Sequence, residues 1–505
     1  MKKRIIRSRR ARYGGMTVLL TVLLITVVVM TNVLFTTLAN RYSWYTDLQK
    51  SQEYTLSDDC YTLIGSALAG KDADIEIIFC DTEDNLMAEV TTKYVYQNAK
   101  DLAARFAGQI RVSTHDIWLN PLSVKRFNQV MDHSKGEMVE TTLSSSNIIV
   151  SNGSYYRVYD LMEFYAFAEG DSSQLWAYKG ERKLASGILR ALNPDGAVVG
   201  ITNNHGELLS DYELLYLLDD AGYSIRHFNL YSEEIPENCE LIVSYNPNSD
   251  LTAADGASDT SEVDTLNTFL AQPGHSYLVF LGNATPTLPN LEGFLASWGV
   301  ETMYSQQNGR SYRYTVQDAK ESLTSDGCTV YGQISTSMLS ELNGGTVFKN
   351  ATALRAANGY VSNGDGSYTK GNRTMYGLFT SKENALSWAN GKPVDDSTSI
   401  LFALTEQKTD GASSSFVGVC SSVEMLSEQF LQSAVYGNTD TMLQIFEVIG
   451  ENDTPMGLKI KPLASSKISI VTTTEMWQWT LILAITPAVV AAVVATVILV
   501  KRKRA

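Results

Sequence analysis

The sequence predicts an α/β protein: two tandem extracytoplasmic α/β domains between N- and C-terminal transmembrane helices. Three observations carry this. Strand-like apolar runs alternate with helically spaced segments through residues 73–300, the pattern of parallel sheets covered on both faces. A long uncharged run lies near each end of the chain. Both runs have basic residues on their outer flanks, which stay on the cytoplasmic side.

The first twelve residues carry seven positive charges, from Lys2 to Arg12, and Met16 to Ala39 then runs 24 residues without a charge. As a helix that run reaches ~36 Å, enough to cross a bilayer with some tilt. A secretory signal has an apolar region of ~7–15 residues and an A-x-A-like cleavage site. Thr37-Leu38-Ala39 matches that site poorly, so the run reads as a retained anchor. Trp479 to Val500 is a second uncharged run of 22 residues, followed by Lys501, Arg502, Lys503 and Arg504. Pro487 inside it is tolerable in a membrane helix, and Trp477 and Trp479 sit where interfacial aromatics concentrate. The expected location is a bacterial cell membrane, with both termini cytoplasmic and residues 41–476 outside.

Charge divides sharply. The total is −15; removing the +7 of the N-terminal tail and the +4 of the C-terminal tail leaves −26 on the outer body. Such a surface argues against a nucleic-acid partner and against adhesion to anionic lipid through charge. The five cysteines, Cys60, Cys80, Cys239, Cys328 and Cys420, are odd in number and far apart, with no CxxC or Cys/His cluster. Neither a metal site nor a disulfide framework is expected.

The elements follow in order. Leu48 to Ala69 reads as a polar linker and helix, "DIEIIFC" from Asp74 as a buried strand, and Ala88 to Ala107 as a helix stopped at Gly108. "IRVSTHD" from Ile110 is a strand, and Asn120-Pro121 can start a helix with Asn as cap and Pro first. "NIIVS" and "YYRVYD" are strands joined at Asn152-Gly153, a hairpin signal. Ser173 to Leu192 reads as a helix, with Glu181 and Arg182 on a solvated face. The turn cluster Asn193-Pro194-Asp195-Gly196 then opens a second unit. "AVVGIT", "YSIRHFNL", "ELIVSYN" and "SYLVFLG" are its strands; residues 207–221, 262–270 and 291–298 are its helices. From Glu301 to Asp396 the pattern weakens into hairpin-rich sequence. "SILFALTE", "SFVGVCSS" and helices from Val423 and Thr439 restore it and complete the second sheet.

The domain reading is therefore a basic tail at 1–15, a span at 16–39, a linker helix at 40–72 and a first α/β domain at 73–192. The second domain begins at 193–300, is interrupted by an insertion or subdomain at 301–396 and finishes at 397–470. A span at 479–500 and a tail at 501–505 end the chain.

This order of parts resembles the Gld-type auxiliary proteins of bacterial ABC transporters, the family of the gliding-motility component GldG. The matching stretches are "KGERKLASGILRAL" (179–192), "VVGITNNHGE" (198–207), "ELIVSYNPNSDL" (240–251), "GHSYLVFL", "LPNLEGFLASWGVE" and "YGNTDTMLQIFEVIG" (436–450). No single motif is specific; their sequence is the resemblance. It implies a glutamine-amidotransferase-like, flavodoxin-type sheet in the second domain. It also implies an outer accessory to an ABC-2-type permease and, through that, a cytoplasmic ATPase, with an exported cargo or outer protein as further partner. The chain departs from the family where Asn204 replaces the first Gly of a Gly-His-Gly-Glu turn, a position where Asn tolerates left-handed geometry. Asn246-Pro247 stands for Gly-Pro, and "GVCSSVE" for an acidic loop.

An amidotransferase-like sheet invites a search for a nucleophile on a strand-to-helix elbow with a histidine base. Cys420 is the best candidate, but Ser422 stands where the elbow wants Gly, and nothing selects among His205, His227 and His275. A small buried thiol at a strand end accounts for Cys420 as well. No Walker-type loop is present, so ATP hydrolysis belongs to a partner. The residues that invite binding are Asn203, Asn204, His205 and Glu207, at a strand's carboxyl end where open α/β sheets take ligands, together with Asn246. The alternative is a corner in which Asn204 or His205 caps the helix and Glu207 complements its dipole. No catalytic residue, metal or cofactor is expected.

Overall fold

The computed structural model describes seven residues between 22 and 31, and residues 55–463 apart from 134, 136, 169–170, 194–195, 208–212, 255–260, 308, 341, 343, 409–412 and 451–453. Among the described residues no helix is long and apolar enough to cross a membrane. The predicted span at 479–500, most of that at 16–39 and both tails lie outside the described residues. The described residues from Val22 to Thr31 are helical and exposed.

In the first lobe α1 (Asp58–Leu68) is capped by the Ser57 hydroxyl and leads to β1 (Ile75–Phe79). Helix α2 (Val90–Arg105) ends just before Gly108, whose φ of 91° turns the chain into β2 (Ile110–Thr114). The Asn120-Pro121 signal starts a 3-10 helix, Pro121–Phe127, rather than an α-helix. Strands β3 (Asn147–Ser151) and β4 (Tyr156–Asp160) form the expected hairpin across Asn152-Gly153. The sheet order is β2-β1-β3-β4, with β1 and β2 parallel. Helices α1 and α2 cover one face through Ile64, Val95 and Leu102; Val124 and Phe127 cover the other.

Two expectations fail next. Residues 173–178 are not helical: β5 (Tyr165–Ala168) and β6 (Asp171–Tyr178) make an antiparallel pair, and the helix α3 spans only Gly180–Leu192. Nor is α3 solvated on one face. Glu181, Arg182, Lys183 and Arg190 are all buried, because α3 lies between the lobes and both sides need partners. Leu184, Ala185 and Ile188 enter the first core. Gly187 lets the helix approach β3 closely, since a Cβ there would meet Val150 at 2.9 Å.

The second lobe runs β7 (Val198–Thr202), α4 (Glu213–Asp220), β8 (Ser224–Phe228), β9 (Cys239–Tyr245), α5 (Glu262–Leu270), β10 (Ser276–Phe280) and α6 (Pro289–Ser297). After a stretch of short strands come β11 (Arg373–Thr380), β12 (Ile400–Gln407), β13 (Ser415–Cys420), α7 (Asn438–Gly450) and β14 (Lys461–Pro462). The sheet order β8-β7-β9-β10-β13 is parallel, and β12 and β11 continue it antiparallel. Parallel strands are buried on both faces and so read as unbroken apolar runs. Here Val243 and Leu278 face α4 and α7, while Ile242 and Val279 face α5 and α6.

Strand β11 carries the main sheet into the stretch read as an insertion or subdomain, residues 301–396. The stretch 397–470 also divides. Strands β12 and β13 and helix α7 complete the second sheet, but Leu458 packs in the first core and β14 pairs with β6. The chain thus returns to the lobe it left.

Ion pairs and hydrogen bonds hold the lobes together. Arg182 of α3 donates to Asp440 at 3.0 Å and to the Leu458 carbonyl at 2.7 Å. Lys183 donates to Asp220 at 2.7 Å, and Arg190 to the Ser224 hydroxyl at 2.6 Å. Arg157 and His133 both meet Asp219 of α4, and the His133 ring stacks on Tyr216 with centroids 4.0 Å apart.

Candidate functional site

The five parallel strands are ordered so that the first in sequence, β7, lies between the second, β8, and the third, β9. Connections from β7 and β9 leave in opposite directions at this point, and open α/β sheets take ligands at the strand carboxyl ends there. Thr202 ends β7 and Tyr245 ends β9, so Asn203, Asn204, His205, Glu207 and Asn246 all stand at this edge.

They do not act alike. Asn203 is exposed, with its N–H donating to the Phe228 carbonyl at 3.2 Å. Asn204 is half-buried; its amide donates to Glu262 Oε1 at 2.8 Å and its oxygen accepts from the Leu230 N–H at 3.0 Å. It does not adopt a left-handed backbone: Gly206, at φ 75°, makes the sharp turn instead. His205 is buried between two carboxylates, Nδ1 lying 3.3 Å from Glu207 Oε1 and Nε2 3.1 Å from Glu262 Oε2. The Glu207 side chain accepts from the Thr202 hydroxyl and the His205 N–H, each at 2.6 Å. Thr252 completes the set, its N–H donating to Glu262 at 2.7 Å. The predicted helix from Glu207 is described only as Glu213–Asp220, so capping of its start lies outside the described residues.

Electrostatics follow from this packing. Burial lowers the His205 pKa, but hydrogen bonds to Glu207 and Glu262 outweigh it and hold the imidazole up at about 9. Burial would raise Glu262; hydrogen bonds from His205, Thr252 and Asn204 bring it down to about 2. Glu207 is lowered against its own burial by His205 and Thr202. The result is an imidazolium held by two carboxylates, a closed charged strut that ties β7, the loop before α5 and the turn together. Glu262 was missed from sequence. It reads there as an ordinary acidic first residue of a helix, and its partner lies 57 residues away.

Asn246 extends the edge. Its backbone is left-handed at φ 53°, and its side-chain oxygen accepts from the Thr285 hydroxyl at 2.9 Å. Thr285 belongs to the loop after β10, which with two hairpins lines an open cavity of about 680 Å3 that includes Asn283, Tyr312, Arg313, Trp388 and Asn390. Arg313 is buried and fixed by the Thr285 carbonyl at 2.7 Å and Glu292 at 2.6 Å. The cavity comes from short strands scattered over about a hundred residues, which carry no periodic signal.

Cys420 ends β13, buried, with Sγ 3.1 Å from Met425 Sδ and 3.3 Å from the Ser422 carbonyl. Burial pushes its thiol up to about 12. The Ser422 hydroxyl donates to the Lys349 carbonyl at 2.6 Å, pinning a neighbouring strand where an elbow would need an open turn. Among the described residues no group of three or more His, Cys, Asp or Glu is arranged to hold a metal ion.

No known family model matches the chain, and no curated protein matches it.

Proposed function

We propose that this chain is a membrane-tethered auxiliary subunit of a bacterial ABC-2-type transporter that works by binding outside the cell, not by turnover. The observation that carries the reading is the contact between the stretch nearest the first uncharged run and the stretch nearest the second. The Lys461 ammonium donates to the Thr55 carbonyl and to Glu181, whose carboxylate also accepts from the Ser57 N–H at 2.8 Å. Both connections toward the uncharged runs therefore leave from one place, as two anchors lying side by side require. Residues 40–54 and 464–478 join the body to those runs, two links of 15 residues each. The strand order β8-β7-β9-β10-β13 supports the amidotransferase-like, flavodoxin-type reading of the second lobe. Burial of Cys420 counts against a divergent amidotransferase.

In this reading the anchors pack beside a permease whose cytoplasmic ATPase supplies the energy. The outer lobes hold permease loops, an outer partner or a cargo. Motion driven by ATP shifts the outer conformation only where binding differs between the two states. The cavity beside Asn283 and Trp388 favours a second reading, a tethered receptor or scaffold without a transporter.

The test is crosslinking of the intact chain in cells, followed by gentle solubilisation. Recovery of a polytopic permease together with a P-loop ATPase is expected. Recovery of the chain alone supports the receptor. A cysteine introduced at exposed Asn363, in a Cys328→Ser background that leaves only buried native thiols, should label from outside the cell; labelling only from the cytosol overturns both readings.

A further inference from the structure

The loop after β2 presents an apolar knob: Trp118 is 80% exposed, Leu119 85% and Leu122 71%. Three such side chains within five residues, at a loop and the first turn of the 3-10 helix that follows, are unusual for a surface that meets only water. Much of the backbone at the tip is already provided for. The Asp116 carboxylate accepts from the N–H groups of Trp118 at 3.0 Å and Leu119 at 3.1 Å. Its carbonyl accepts from Asn120 at 2.9 Å; Pro121 has no N–H, and Ser123 donates to the Asn120 carbonyl at 3.2 Å. With these donors satisfied internally, the tip leaves water at a reduced polar cost.

The knob's place in the fold says what it meets. His115 donates to the Phe79 carbonyl at 2.8 Å, so the loop rises from the carboxyl ends of β1 and β2. Helix α3 begins at this pole, with Lys179 donating to the Phe164 carbonyl at 2.7 Å just past β4, and ends at the opposite pole, where Asn152 donates to the Ala191 carbonyl at 2.7 Å. Glu181, in its first turn, holds Ser57 and Lys461. The knob and both ends of the described body thus share one pole. Links of 15 residues span at most about 50 Å each, and both leave from this pole, so the knob lies on the tethered side of the body.

We infer that Trp118, Leu119 and Leu122 seat the first lobe in the interfacial layer of the lipid bilayer. This rests on the membrane tether of the proposed function. Trp is favoured at that depth, where its ring is apolar and its N–H stays wet. The same pole carries Asp58, Asp59 and Asp116, so the seat is apolar and does not depend on anionic lipid.

The test uses the full chain with Cys328→Ser and Asn120→Cys, reconstituted in phosphatidylcholine vesicles and labelled with an environment-sensitive fluorophore. Asn120 is exposed and its side chain caps nothing, so the label leaves the knob intact. A second version carries the label at Val361→Cys, 67% exposed in the second lobe. Lipid-borne nitroxide should quench position 120 at least threefold more than position 361. Changing Trp118, Leu119 and Leu122 together to Ser should bring the two level. Equal access of aqueous iodide to both positions overturns the inference while leaving the tether standing. Shielding of position 120 from iodide and nitroxide alike overturns it in favour of a protein cover. Failure of the chain to float with vesicles overturns the tether, and the inference with it.

Discussion

Lys461 reaches back across 406 residues to the carbonyl of Thr55, and the same ammonium holds Glu181. This contact closes the body where its two ends meet. Lys461→Met should leave Glu181 buried against the Ser57 donors alone and cost about 3 kcal/mol, the scale of a broken buried pair. Denaturant unfolding of the detergent-solubilised chain measures it. Adding Glu181→Gln should then cost less than the sum of the single changes.

Asp219 is shared by Arg157 and His133, and burial with these neighbours makes it the anchor of one lobe on the other. The Arg157 guanidinium and His133 hold its carboxyl far below the usual range against its burial. Asp219→Asn strands a buried guanidinium and should cost about 3–5 kcal/mol. Arg157→Met in the same chain should recover part of that. A double change as damaging as the two single changes added together would show that the pair is not coupled.

The strut at His205 makes stability depend on pH from both sides. His205 is raised to about 9, so its contribution is complete below its ordinary value near 6.5 and fades as pH rises through about 9. Glu262 is lowered to about 2, so its contribution is complete above its ordinary value near 4.5 and fades as pH falls through about 2. Unfolding midpoints should therefore peak between about pH 5 and 6.5. His205→Gln should flatten the alkaline limb by about 3 kcal/mol. An unchanged limb in that variant would place the titration elsewhere.

Cys420 should resist thiol reagents at neutral pH in the folded chain and react once denaturant unfolds it, because its thiol is pushed up to about 12. Cys420→Ala should cost about 1–2 kcal/mol through the lost contacts with Met425, with partner capture unchanged. Rapid labelling of the native protein would revive the nucleophile.

What the sequence disclosed follows from how locally each feature is determined. The central strands β9 and β10 of the second lobe are covered on both faces, so the apolar runs "LIV" and "YLVFL" stand out without any partner in view. The charges of "KGERK" deceived for the opposite reason: helical spacing shows which residues share a face but not what meets it. Arg182 meets Asp440 258 positions away. Residues 173–178 lack the alternation of a half-buried strand and continue into a true helix, so the boundary between them was invisible. The edge that gathers Asn204, His205 and Asn246 was legible from strand and turn order. Glu262, which closes that edge, was not, since pairing at such separation leaves no mark on spacing.

Helix α3 answers to both lobes at once. Its apolar side belongs to the first lobe, and Lys183 and Arg190 are matched by Asp220 and Ser224 of the second. The halves are consequently poor modules. Grafting either lobe onto a relative's counterpart would import half of a charge set, and a change accepted at Asp220 must be answered at Lys183. Substitutions across the seam should therefore cost more than apolar exchanges of similar volume within either sheet.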